Sequence, residues 1–391
     1  MSLAVTGIGL LVTHDPERPV IAAAALVAEA GCVAWTGTQD QLPEAAGEDR
    51  LDAGGRCVIP GFVDAHTHMV FGGDRAQEFA ARLAGRPYEA GGIRTTVTAT
   101  RAATTSELGA RVRRLATEAL RGGTTTIEVK SGYGLTVEDE HRSLEAATWD
   151  APDLPAVQRT FLGAHVVPEG TGADDYVALV AGPMLDACAP LAQWCDVFCD
   201  RGAFDVEQAE AILRAGRNHG LGLRLHAEQL AHTGGAQLAA GLGAASADHL
   251  THIDDADIAA LAGAGVVATL LPIADMDTAA PPPPARRLLD AGVTVALATD
   301  CNPGTSYTTS MALVIAMACR RYGMAPDEAL RAATLGGAAS LQRDDIGHLR
   351  VGARADLVVL DADDPVHLAY RPGVPLTHAV MRGGTVAWSA K

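Results

Sequence analysis

The sequence predicts a (β/α)₈ barrel of the TIM type joined to a small composite β-sandwich made from both termini. Between about residues 58 and 346, short apolar β-prone runs alternate with Ala-, Leu- and Arg-rich helical segments, the pattern of parallel strands joined by helices. Polar residues gather where those runs stop, as they do on the functional face of a barrel. Both flanks consist instead of brief β-like pieces broken by glycine and proline.

Eight runs fit the barrel: 58–66, Thr124–Lys130, Val157–Gly163, Cys195–Asp200, Gly222–Glu228, Ala245–Leu250, Val266–Leu271 and Val293–Asp300. No Gly-x-Gly-x-x-Gly follows a strand, which argues against an open dinucleotide-binding sheet. The flanks, 1–57 and 347–391, are each too small to hold a core alone. They are expected to pair into one domain beside the 58–346 barrel. Pro281–Pro284 reads as a stiff loop.

The chain has 391 residues and 48% hydrophobic content, enough for a full core. Its net charge of −17 argues against nucleic-acid binding and against adhesion to anionic membranes. An anionic small molecule would need its own arginine. Seven cysteines, odd in number and without paired zinc-ribbon spacing, read as reduced thiols. No leader-like or membrane-length apolar segment is evident, so a cytoplasmic protein is expected.

The chemistry starts at Pro60-Gly61-Phe62-Val63-Asp64-Ala65-His66-Thr67-His68, where an apolar strand ends in two imidazoles one residue apart. Residues two apart share a strand face, so both rings can meet one divalent metal. The fifth run ends with His226. The eighth ends with Asp300, a carboxylate costly to bury unless paired or metal-bound. His66, His68, His226 and Asp300 make a set of three nitrogens and one oxygen that leaves a position for water. Lys130, His165 and His249 end the second, third and sixth runs. His249 is preferred over His252, which falls in the following loop. His141, His219 and His232 read as surface histidines.

These pieces, with Val351-Gly352-Ala353-Arg354-Ala355-Asp356-Leu357-Val358, resemble the amidohydrolase superfamily. Four narrower motifs resemble its branch that opens 4-imidazolone-5-propanoate: Phe71–Arg75, Lys130–Leu135, Phe161–His165 and Thr299–Thr305. The resemblance implies one Zn²⁺ or Fe ion on the four ligands. Dinuclear relatives carry a lysine on the fourth strand, and here that strand ends Val197-Phe198-Cys199-Asp200.

The substrate so implied is a small anionic heterocycle. Arg75 offers a fork for its carboxylate, or reads as a surface ion pair. Tyr133 and Tyr88 are further contacts, or loop packing. Asn302, Gly304 and Thr305 present polar atoms to the ring, or serve ordinary turn chemistry. Where many relatives carry a glutamate three residues past the fifth-strand histidine, this chain has Gln229, which hydrogen-bonds but is no base. Glu228 stands one place away.

The implied reaction has metal-activated water attacking the ring carbonyl while Asp300 shuttles the proton to the leaving nitrogen. His249, with His165, would stabilise the oxyanion. The product is N-formimidoyl-L-glutamate, and a homodimer is implied. Lys130 reads as an ion pair or loop anchor as readily as a catalytic group. The competing readings are another mononuclear cyclic amidohydrolase, a cytosine-deaminase-like aminohydrolase and, more remotely, a non-catalytic scaffold.

Overall fold

The computed structural model describes residues 2–44, 46, 49–85 and 91–390. Among the described residues sixteen strands follow in order, eight in each of two sheets. The terminal sheet holds β1 (Ser2–Val12), β2 (Val20–Glu29), β3 (Cys32–Thr38), β4 (Asp49–Asp52) and β5 (Cys57–Pro60). From the far end of the chain it adds β14 (Leu357–Leu360), β15 (Thr377–Arg382) and β16 (Thr385–Ser389). The barrel holds β6 (Phe62–Asp64), β7 (Thr124–Lys130), β8 (Ala156–Ala164) and β9 (Trp194–Cys199). It is completed by β10 (Gly222–Ala227), β11 (Ser246–His249), β12 (Val267–Leu270) and β13 (Val295–Leu297).

The run expected over 58–66 divides at Gly61. Cys57–Pro60 pairs with β1 and β14, and only Phe62–Asp64 pairs with β7 in the barrel. Side chains alternate between the two cores: Val58 packs in the terminal core, whereas Cys57 and Ile59 belong to the barrel's core. β5 is therefore a shared wall between the two cores. A Cβ on Gly61 would fall 2.2 Å from Thr125 Oγ1, so the crossing strand needs a glycine there. The termini form one continuous hydrogen-bonded sheet in the order β16-β15-β14-β5-β1-β2-β3, with β4 on β1. The far edge of β3 is met by 352–354 through Val33 N to Ala353 O and Gly352 N to Val33 O. The sheet thus encloses its own core of Val5, Ile8, Leu26, Leu357, Val359 and Met381.

The barrel strands run parallel in chain order, each joined to the next by a crossover connection. Closure comes just past the ends of β6 and β13. Asp300 N donates to His66 O and His68 N to Cys301 O, both at 3.0 Å. The Asp64 carboxylate takes Thr299 N at 3.0 Å and Thr299 Oγ1 at 2.6 Å. These bonds fix the first and last strand ends against each other, with His66 and His68 on one side of the seam and Asp300 on the other.

Candidate metal centre and active-site cavity

Three strand ends on this face carry a non-glycine residue in the left-handed region: Glu228 (φ 56°), His249 (φ 77°) and Asp300 (φ 53°). That conformation is uncommon for such residues and gathers at functional sites. It turns the chain sharply and redirects the side chain. Glu228 shows the effect. Its carboxylate accepts Thr233 N, Gly234 N and Ala236 N, bracing the following loop outside the cavity. Glu228, one place from Gln229 in the sequence, is therefore a loop anchor.

His66, His68 and His226 converge on one point. The Nε2 atoms of His66 and His226 each lie 3.2 Å from His68 Nε2, and Asp300 Oδ1 lies 3.6 and 3.5 Å from Nε2 of His66 and His68. All four residues are buried. The other ring nitrogens decide the tautomers. His66 Nδ1 donates to Asp248 at 2.7 Å and His226 Nδ1 to Asp196 at 3.1 Å, so both Nε2 atoms present lone pairs. Lone pairs that face each other in a buried site fit a shared cation, and carboxylate-held imidazoles are how proteins orient metal ligands.

Neither Asp196 nor Asp248 figured in the sequence reading. Both sit inside otherwise apolar strands, and that was the available signal, since a buried carboxylate needs a partner. Their charge is balanced from behind. Lys130, fully buried, lies 2.8 Å from both Glu128 and Asp196. Burial depresses its ammonium, but Asp196 and Glu128 outweigh that and raise it. Arg224 spans Asp248 (3.4 Å), Ala65 O (2.8 Å) and Ser340 O (2.7 Å). Burial pushes the Asp248 carboxyl up, but Arg224 and Lys130 together hold it below its ordinary range. Glu128 in turn accepts Thr67 N at 3.1 Å, between the paired histidines. Of the two readings of Lys130, the ion pair is the one seen.

Burial holds the His66, His68 and His249 imidazoles neutral, well below their ordinary range, and pulls His165 down to about 4. Burial also raises the Asp300 carboxyl well above its usual range. His165 Nδ1 donates to Gly132 O at 2.9 Å, which leaves its Nε2 an acceptor. A neutral ring in that tautomer presents an acceptor to the cavity at Nε2. His249 Nδ1 has no hydrogen-bond partner, which leaves that ring free to serve as donor.

The centre opens into a cavity of about 430 Å³. His68, Tyr133, His165, His226, His249 and Asp300 line it, as do Arg75, Gln229, His252, Asp275, Asn302 and Thr305. Arg75 is buried and forks onto Glu78, with Nε to Oε2 at 2.9 Å. A Cβ on Gly92 or Gly304 would lie 2.2 Å from a guanidinium nitrogen, so two glycines bracket that group. Gly304 is absent from the cavity wall. Its N–H serves Asn302 Oδ1 (2.8 Å) and its carbonyl accepts Arg82 Nη2 (2.9 Å), so it makes room for Arg75.

The Asn302 side chain is likewise engaged within its own turn, with Asp300 O, Gly304 N, Thr305 N and Thr305 Oγ1. Gln229 N donates to Asp200 at 2.7 Å, which presents its side chain to the cavity. Tyr88 lies outside the described residues. Asp275 is a cavity residue that sequence reasoning missed, because nothing in Leu271-Pro272-Ile273-Ala274-Asp275 marks a site.

The amidohydrolase family model matches residues 200–387. An imidazolonepropionase of Mycolicibacterium smegmatis is 58% identical across 100% of this chain and 98% of its own. Another from Salinispora arenicola is 59% identical, covering 98% of each. Among solved structures, an adenosine deaminase from Xanthomonas campestris with bound zinc superposes with a TM-score of 0.75 at 21% identity, over 98% of this chain and 92% of that one. The N-isopropylammelide isopropylaminohydrolase of Burkholderia multivorans gives 0.74 at 22%, over 99% and 98%. At that identity the likeness concerns the fold alone.

Proposed function

The chain belongs to the imidazolonepropionase family of amidohydrolases, and from that premise we propose that its cavity opens 4-imidazolone-5-propanoate to N-formimidoyl-L-glutamate, a hydrolytic step of histidine degradation. The observation that carries the reading is the convergence of three buried imidazoles and Asp300 on one end of a cavity whose wall includes Arg75. His66, His68, His226 and Asp300 would hold one divalent ion, zinc or iron, since both accept imidazole and carboxylate. When bound, such an ion supplies Lewis acidity to the carbonyl and acidity to water.

The chain's own groups divide the remaining work. Asp300 borders both the ligand cluster and the cavity, so it takes the proton from water and delivers it to the ring nitrogen as the C–N bond breaks. His249 donates to the oxygen that gains charge. Arg75 meets the propanoate, exchanging one of its Glu78 contacts for the substrate. His165 accepts from a ring N–H and Gln229 contacts the ring, neither acting as base. A buried arginine fork is what a carboxylate-bearing substrate requires and a neutral nucleobase does not. We further propose a cytoplasmic homodimer acting on a free metabolite.

The test supplies metal-loaded protein with 4-imidazolone-5-propanoate and follows N-formimidoyl-L-glutamate, with cytosine and dihydropyrimidines as competitors. Turnover of a competitor in preference to the imidazolone would overturn the reading.

A further inference from the structure

Asp275 is a carboxylate in the cavity wall to which the reaction so far gives no task. It lies on the helix Pro272–Asp277 that follows β12, and it is buried. Its two partners are neutral hydroxyls: Tyr322 donates to Oδ2 and Thr251 to Oδ1, the latter at 3.4 Å. Arg321, whose positive field reaches it, gives its Nη2 to Ala280 O at 2.9 Å. The other acids at the site are engaged with cations or with the ligand cluster: Glu78 with Arg75, Asp196 with Lys130, and Asp300 beside His66 and His68. Among the described residues, Asp275 differs in having hydroxyls as its only hydrogen-bond partners, with no cation paired to it directly. An anion buried without a counter-charge is costly, and a cationic ligand is one thing that repays the cost.

The proposed reaction makes such a cation. Water adds its oxygen to the ring carbonyl carbon, the C–N bond breaks, and the proton goes to the departing nitrogen. The carbonyl carbon ends as a carboxylate. The N–C–N fragment, acylated and neutral in the ring, becomes an open formamidine, which is strongly basic and takes up the remaining proton as an amidinium. Positive charge therefore develops on that fragment inside the cavity.

Resting on the imidazolone reading above, we infer that Asp275 is a specificity-determining residue that binds the N–C–N fragment of the ring and the amidinium it becomes. Its lone pairs beyond those used by Tyr322 and Thr251 accept the fragment's N–H groups. Burial raises its carboxyl only to about 6, so it is largely ionised at neutral pH. The wall that meets the fragment is thus anionic at one carboxyl and held in place by two hydroxyls.

The test compares two ligands on metal-loaded protein by calorimetry: N-formimidoyl-L-glutamate, and N-formyl-L-glutamate, which has the same shape but is neutral at that end. Wild type is expected to bind the formimidoyl compound roughly ten- to a hundredfold more tightly, the usual reach of a hydrogen bond to a charged group. Asp275→Asn should erase that preference while its affinity for the formyl compound stays within about threefold. A preference that survives in the variant overturns the inference. So does a wild type without preference, and that comparison needs no variant to fold. Imidazolone turnover without ligand preference defeats the inference alone; absence of both turnover and binding defeats the substrate reading and the inference with it.

Discussion

Behind the metal centre, His66 and His226 are each gripped by a carboxylate from another barrel strand, and each carboxylate is backed by a buried cation. On the loop wall of the same cavity, Asn302 is engaged by its own turn and Arg75 by Glu78 three residues on. The first region is oriented by sheet register, so its donors cannot turn without moving strands. The second is satisfied locally and must exchange partners to meet a ligand. Disturbing the first should therefore damage turnover, stability and metal binding, whereas disturbing the second should show in substrate affinity.

The largest effect is expected at Asp300. Asp300→Asn keeps the shape of the seam residue but removes the proton acceptor, and turnover should fall roughly 10²–10⁴-fold with the fold intact by circular dichroism. Turnover near that of wild type would remove Asp300 from the proton path. Next comes Lys130→Met, which leaves Glu128 and Asp196 buried with no shared cation. A loss of about 3–5 kcal/mol in urea unfolding is expected, the cost of orphaning a buried charge. A loss under about 1 kcal/mol would mean that these strands are not held by that ammonium. Asp196→Asn and Asp248→Asn should weaken metal binding about 10–100-fold in chelator competition, since each frees an imidazole to rotate. Unchanged affinity in both would show that the strands alone orient the rings.

The same contrast explains what could be read from the sequence. His66, His68, His226 and Asp300 end apolar strands, where a polar residue stands out and period-two alternation gives its direction. The parallel strands were visible for the same reason. Glu228 defeated that logic because a left-handed residue turned it out of the cavity, and alternation says nothing past the end of a strand. The tautomer of His165 depends on the Gly132 carbonyl, a contact made between loops of different strands. Cys57–Pro60 and Phe62–Asp64 read as one strand because both halves are apolar on each face. Only their pairing partners separate them.

The smallest effect, and the one that bears most directly on the loop wall, is expected at Gly304. Its missing side chain is what admits Arg75: a Cβ there would fall 2.2 Å from Nη1 and 2.8 Å from Cζ. On the other side a Cβ on Gly92 would fall 2.2 Å from Nη2, so the guanidinium sits in a slot between two glycines. Gly304→Ala should therefore tilt the fork away from the carboxylate it is proposed to bind while leaving the metal centre alone. We expect KM to rise about tenfold with kcat within about threefold, the signature of binding shared by ground and transition states. In an Arg75→Ala background the same substitution should cost almost nothing, because the two residues act through one contact. A fall in kcat instead would mean that the 302–305 turn reports to Asp300, whose carbonyl Asn302 holds at 2.6 Å, and that the two regions are mechanically one.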